Sequence, residues 1–254
     1  MSESIPPARD VWIIGASRGL GLEIARRYAD VGRSVVGFAR SEIADAAPFR
    51  HVAALDVGDD VAVDATVDRT IRERGTPALV VYLASQLYQG SILTRAEGDL
   101  VREVDITYLG FVRVARALAR HKDADKPVRL VATASTLGYI GTPSLDNFSA
   151  AKAALLSFAR SARHELGTRG IEIAIVSPPH MENGADLVGP QRYPMSWAAP
   201  RFAREAAGHR SEYLLGASNR SMQAMARYAP GLARSIMQGI GADALERGAS
   251  TVHA

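Results

Sequence analysis

A chain of 254 residues with 47 % hydrophobic and 22 % charged residues has ample material for one well-buried domain, and no apolar run nears the roughly 18 residues of a membrane span. The net charge is only +3, and the basic residues are scattered rather than clustered, so neither nucleic acid nor membrane is an expected partner. Cysteine is absent, which excludes disulfides and thiolate chemistry; no metal is expected, and without a recognisable secretory signal the expected location is cytoplasmic.

In chain order, DVWIIG (10–15) reads as a short buried strand that ends in glycine. Leu20, Ile24, Tyr28 and Val31 follow at helical spacing, and Gly32 suits the helix end. Residues 34–39 and 52–57 are the next strands, and 59–74 form a polar helix. A fourth strand is predicted at 78–84, a long helix at 94–120, a fifth strand at 128–135, a helix at 146–168 and a sixth strand at 171–177. Continuous β-branched strands alternating with helices predict a parallel sheet covered on both faces, a single doubly wound α/β domain over residues 1–254. Its cofactor-binding core would span 10–178, a substrate loop region 179–215 and a mostly helical C-terminal extension 216–254, with a break at Pro230. Residues 178–200 are rich in Pro and Gly and contain Met181, Tyr193, Met195 and Trp197.

Gly15-Ala16-Ser17-Arg18-Gly19-Leu20-Gly21 joins the first strand to the first helix. Glycines there let the backbone turn sharply and approach a pyrophosphate, which then sits on the positive end of the helix. A tight turn without a ligand is the bland alternative; the βα units that follow favour a dinucleotide. The second strand ends at Phe38-Ala39-Arg40-Ser41, where an NAD site would normally carry an acid for the ribose. Arg40 and Arg18 suit a 2′-phosphate instead, so NADP(H) is the predicted cofactor, against the alternative of two surface arginines. Asp56 and Val57, at the end of the third strand, are placed to meet the adenine.

Of 30 basic residues, only Lys122, Lys126 and Lys152 are lysines. A buried lysine can shift its pKa and serve as a compact cation, which a guanidinium cannot do. Lys122 and Lys126 lie in a polar stretch, so Lys152 is the one that invites this reading.

The glycine spacing at 15–21, Asp56, Ser135, Lys152 four residues after an aromatic, and the Ser177-Pro178 turn together resemble the short-chain dehydrogenase/reductase family over roughly residues 10–180. The resemblance implies a Rossmann-type fold, an NAD(P)-dependent oxidoreductase acting on a small-molecule substrate, and a homodimer or homotetramer. It also implies roles. Ala84 and Pro178 would border the cofactor; Lys152 would hold the nicotinamide ribose; Ser135 would bind the substrate oxygen. The family's catalytic tyrosine falls at Phe148, and its relay asparagine at Thr107. The family's Asn-Asn-Ala-Gly reads Tyr82-Leu83-Ala84-Ser85, and its Pro-Gly reads Pro178-Pro179. So many departures point to natural divergence rather than one engineered substitution.

A phenyl ring has no titratable proton, and a positioned acid or base is worth roughly 10²–10⁴ in rate. Two residues are candidates to replace it: His180, whose ordinary pKa near 6.5 suits proton transfer, and Tyr139, four residues after Ser135. For both, the blander reading is favoured: polar surface for His180 and a packed aromatic for Tyr139. Met181 to Trp197 resembles the family's variable substrate loop and suggests an apolar or aromatic substrate. Three functions follow: an NADP(H)-dependent oxidoreductase with an altered proton relay, a cofactor-holding subunit of a heteromer with an active partner, or a non-redox isomerase, dehydratase or cyclase.

Overall fold

The computed structural model describes residues 9–182, 192–246 and 251–253. Its strands are β1 (Val11–Ile14), β2 (Val35–Ala39), β3 (His51–Ala54), β4 (Leu79–Tyr82), β5 (Leu87–Gln89), β6 (Val128–Thr133), β7 (Ile171–Ser177), β8 (Glu212–Leu214) and β9 (Thr251–His253). Its α-helices are α1 (Gly19–Asp30), α2 (Asp60–Arg74), α3 (Glu97–Val104), α4 (Gly110–His121), α5 (Asp146–Ser161), α6 (Arg163–Thr168), α7 (Met195–Ala206), α8 (Ala217–Tyr228) and α9 (Pro230–Glu246). A π-helical turn, Asp105–Leu109, joins α3 to α4, and a 3₁₀ turn, Thr136–Gly138, follows β6.

Seven strands form an open, all-parallel sheet in the order β3-β2-β1-β4-β6-β7-β8. The strands are apolar throughout because helices cover both faces. On one face Trp12, Phe38, Tyr82 and Leu130 meet α2, α4 and α5. On the other, Ile13, Val81 and Val131 meet α1 and α7. The doubly wound α/β fold is therefore present. Strand order reverses between β1 and β4, and the loops after those two strands open the crevice in which such sheets bind ligands. No helix among the described residues is long and apolar enough to cross a membrane.

The helices stop where the chain can turn. Asp59 caps α2 by accepting from the Ala62 N–H at 3.0 Å, and Gly75 ends it at φ 81°. Other boundaries differ from the sequence expectation. The helix expected over 94–120 begins at Glu97 and is interrupted by the π turn. That turn is held from the sheet: the Tyr82 hydroxyl donates to the Ile106 carbonyl at 2.5 Å, and a Cβ at Gly110 would run into that hydroxyl. The helix expected over 146–168 divides at Ala162 into α5 and α6. Residues 178–200 are not irregular throughout, because α7 starts at Met195; residues 183–191 of the expected substrate loop lie outside the described residues. Strands β5, β8 and β9 have three residues each, too few to leave a period in the sequence. The break at Pro230 is where α8 gives way to α9.

Candidate active site

The glycine turn lies at the reversal of strand order. Gly15 follows β1 at φ 91°, and a Cβ there would lie 2.7 Å from the Ala84 nitrogen, in the loop after β4. A Cβ on Gly21 would collide with the Gly15 carbonyl. These two glycines let the turn close on itself and on its neighbour. Gly19 is different: it is exposed, at φ 57°, and a Cβ there would meet nothing within 4 Å. The turn is thus packed from below and open above, with the first N–H groups of α1 at its rim, which is the cradle a pyrophosphate needs. Ser17 is half-buried, while the Leu20 side chain packs into the core, leaving its main chain to the cradle. Arg18, Arg40 and Ser41 are exposed, and neither guanidinium pairs with a carboxylate among the described residues.

The predicted adenine contacts are more committed. Asp56 accepts from the Gly58 N–H at 2.9 Å and from Arg102 at 3.3 Å. Val57 packs against Gly110, and its carbonyl accepts from Arg113 at 3.0 Å, so its side chain faces the core.

The second group of predicted residues gathers at the carboxyl ends of β4, β6 and β7. Lys152 is 4 % exposed, and its Nζ donates to the Thr133 carbonyl at 2.9 Å, at the end of β6. Burial pulls its pKa down from the usual lysine value to about 7. One turn earlier on α5, the Phe148 ring is 8 % exposed with its centroid 5.4 Å from that Nζ. Ser135 leaves β6 two residues after Thr133; its Oγ accepts from the Leu137 N–H at 3.2 Å, which leaves the hydroxyl hydrogen to donate. Gly138 brings the 3₁₀ turn onto α5, since a Cβ there would lie 3.0 Å from the Lys152 carbonyl.

Thr107 is fully buried in the π turn, 3.2 Å from the Ser85 hydroxyl and 3.3 Å from the main chain of Gln86. That turn packs on α5, the helix that carries Phe148 and Lys152, and Thr107 is tied to the loop after β4. Pro178 is buried just past β7. His180 is half-buried, and its carbonyl accepts from the Tyr193 N–H at 2.9 Å. Tyr139 does not join the cluster. Its ring lies against Arg160, centroid 5.5 Å from the guanidinium carbon, and lines a groove of about 520 Å³ shared with Pro143, Ala226 and Arg234.

The sequence profile of short chain dehydrogenases matches residues 9–191. The chain belongs to the short chain dehydrogenase family. Among relatives, it is 29 % identical over 177 residues to the 3-oxoacyl-[acyl-carrier-protein] reductase FabG of Escherichia coli, an alignment covering 67 % of this chain and 72 % of the relative. The FabG of Pseudomonas aeruginosa is 31 % identical over 176 residues, covering 65 % and 71 %. Among solved structures, a short chain dehydrogenase from Burkholderia cenocepacia in complex with NADP superposes at a TM-score of 0.80, with 19 % identity and 90 % and 97 % of the two chains covered. A gluconate 5-dehydrogenase from that organism, in complex with NADP and tartrate, gives 0.76 at 19 % identity, covering 86 % and 98 %.

In this short chain dehydrogenase several residues that shape the site carry no sequence signal. Asn219, near the start of α8, is buried; its Nδ2 donates to the Ser177 carbonyl at 3.0 Å and its Oδ1 accepts from the Thr136 hydroxyl. It ties the C-terminal extension to the ends of β6 and β7. The Tyr193 and Trp197 rings meet with centroids 4.5 Å apart and planes tilted by 42°, and the Tyr193 hydroxyl is 3.3 Å from that of Ser218, so the start of α7 is also fastened to α8. On the other side, Glu103 is fully buried and accepts from the Tyr88 N–H at 3.0 Å and from Asn147 at 2.7 Å, with Arg95 at 3.5 Å. Burial pushes its carboxyl up from the ordinary glutamate value. Ser144 takes a left-handed φ of 68°, its carbonyl accepting from the Gly90 N–H at 3.0 Å. This network fixes the start of α5, and with it the position of Phe148.

Proposed function

We propose that the chain is an NADP(H)-dependent oxidoreductase that interconverts a carbonyl and an alcohol on a small apolar or aromatic metabolite, with a proton route that does not use residue 148. The observation that carries the reading is the glycine cradle at the reversal of strand order, open above Gly19, with Arg18 and Arg40 exposed and unpaired among the described residues. The residues fit the dinucleotide: the α1 amino end for the pyrophosphate, Arg18 and Arg40 for the 2′-phosphate, and Lys152 for the nicotinamide ribose. The NADP complexes of the two Burkholderia proteins and the reductase activity named for the FabG relatives support it. When bound, NADP(H) supplies or accepts the hydride. Ser135 donates a hydrogen bond to the substrate oxygen and fixes its direction. Met181, Met195 and Trp197, partly buried against the core, suit an apolar substrate surface. The assembly in this reading is a cytoplasmic homodimer or homotetramer, which native mass measurement tests.

A second reading, a cofactor-holding subunit without turnover, is favoured by one observation: the group beside Lys152 is carbon rather than hydroxyl. Fluorescence titration with NADPH and NADH, followed by a screen of ketones and alcohols, separates the two. NADPH binding tighter than NADH, with measurable turnover, is the expected result. NADPH binding with turnover only after Phe148→Tyr supports the second reading. Failure to bind either nucleotide overturns both.

A further inference from the structure

Carbonyl reduction needs a proton as well as a hydride, and Phe148 has none to give. Tyr139 is turned to Arg160, eight residues along α5 from Lys152, or about 12 Å at 1.5 Å rise per residue. His180 lies in the segment whose main chain pairs with Tyr193. Building on the oxidoreductase reading, we propose that Lys152 itself is the proton donor and acceptor for the substrate oxygen, acting directly or through one water past the edge of the Phe148 ring.

The geometry isolates Lys152. Its Nζ spends one hydrogen on the Thr133 carbonyl at 2.9 Å, and an ammonium has three. It lies between the Phe148 ring and the carbonyl of Thr133, and Thr133 is two residues before Ser135, so the group that would orient the oxygen and the group that would protonate it meet the same strand end. Charged groups on the elements packed against α5 have other partners or are exposed. Asp105 of the π turn pairs with Arg113, and the Tyr108 ring meets Phe158. On α3, Glu103 and Arg102 hold Arg95 and Asp56, and Asp99 acts on Tyr88. Arg129 of β6 pairs with Glu172 of β7, Arg163 of α6 with Glu212, and on α5 itself Asp146 meets Arg95 and Arg160 meets Glu212. Glu97, His164 and Glu165 are exposed. Burial alone acts on Lys152, bringing its pKa to about 7, where amine and ammonium coexist at neutral pH. Every other basic residue outside the 122–126 loop is an arginine, which cannot give up its proton.

The balance is complete. In reduction the carbonyl carbon gains the hydride supplied by a reduced nicotinamide dinucleotide, and the oxygen takes the ammonium proton. An alcohol and a neutral amine result, the dinucleotide is left oxidised, and solvent reprotonates Lys152. Oxidation runs the same steps backwards and needs the amine. Reduction therefore declines as pH rises through about 7, and oxidation increases over the same interval.

The test uses the small number of lysines. The full chain labelled with ¹³Cε-lysine gives three signals, assigned with Lys122→Arg and Lys126→Arg, and is titrated free and with NADPH. The expected result is a Lys152 midpoint near 7, with kcat/KM for ketone reduction falling about tenfold per pH unit above that same midpoint, and a loss of about 10²–10⁴ in Lys152→Met. A Lys152 midpoint near the ordinary lysine value overturns the proposal without a variant having to fold. So does a pH profile that ignores the Lys152 midpoint, one that disappears in His180→Ala, or an NADPH-loaded chain that reduces no carbonyl in the screen. Failure of the NADPH fluorescence titration is a separate result, which sinks the cofactor reading itself.

Discussion

At one end of the crevice Gly15 and Gly21 leave no room even for a methyl group; at the other, a ring of the expected size sits at 148 but lacks the hydroxyl. The first region works through backbone, and backbone geometry admits few sequences: any side chain at Gly21 meets the Gly15 carbonyl. The second works through one functional group on a helix. Removing that group leaves the packing of α5 intact, because Phe148 fills nearly the same volume and stays buried. The contrast teaches that a turn built on close backbone approach restricts residue type, whereas a buried ring on a helix face packs with or without a hydroxyl.

The sharpest way to break the contrast is Gly21→Ala, which should displace the turn and take NADPH binding below detection in a fluorescence titration. Phe148→Tyr tests the other region: a phenol beside Lys152 should raise ketone reduction by less than the roughly 10²–10⁴ of a lone general acid, because Lys152 already supplies the proton, and should move the inflection of its pH profile, measured by steady-state kinetics. No change in either would mean that residue 148 is remote from the reacting oxygen. Glu103→Ala leaves Arg95, whose side chain is 5 % exposed, without its buried carboxylate. It should cost about 3 kcal/mol in denaturant unfolding, at the low end for breaking a buried pair. A loss of turnover exceeding the loss of folded protein would show that the start of α5 has to be held for catalysis. The smallest effect is expected from Arg40→Ala, which should weaken NADPH binding about tenfold and leave NADH unchanged, the scale of one exposed charge-assisted hydrogen bond.

Much of the frame was legible beforehand. Six parallel strands, the glycine turn and the pairing of Lys152 with residue 148 follow from apolar runs, glycine spacing and the i,i+4 rule, all of which act over a few residues. Tyr139 shows where such local rules stop. Its distance from Ser135 along the chain is short, yet the turn at 136–138 directs its ring to Arg160. The π turn was invisible because its cause, the Tyr82 hydroxyl on the Ile106 carbonyl, joins residues 24 apart.

The sequence by itself determined the doubly wound fold, the place of the cradle and the absence of a proton at 148, since each is a local property of residue type and period. Tertiary structure alone decided that Lys152 is desolvated, that Glu103, Arg95 and Asn147 lock the start of α5, and that Asn219 draws α8 across the ends of β6 and β7. Burial and partnership depend on what distant segments bring to a point, and a pKa near 7 on a lysine is set by that surrounding.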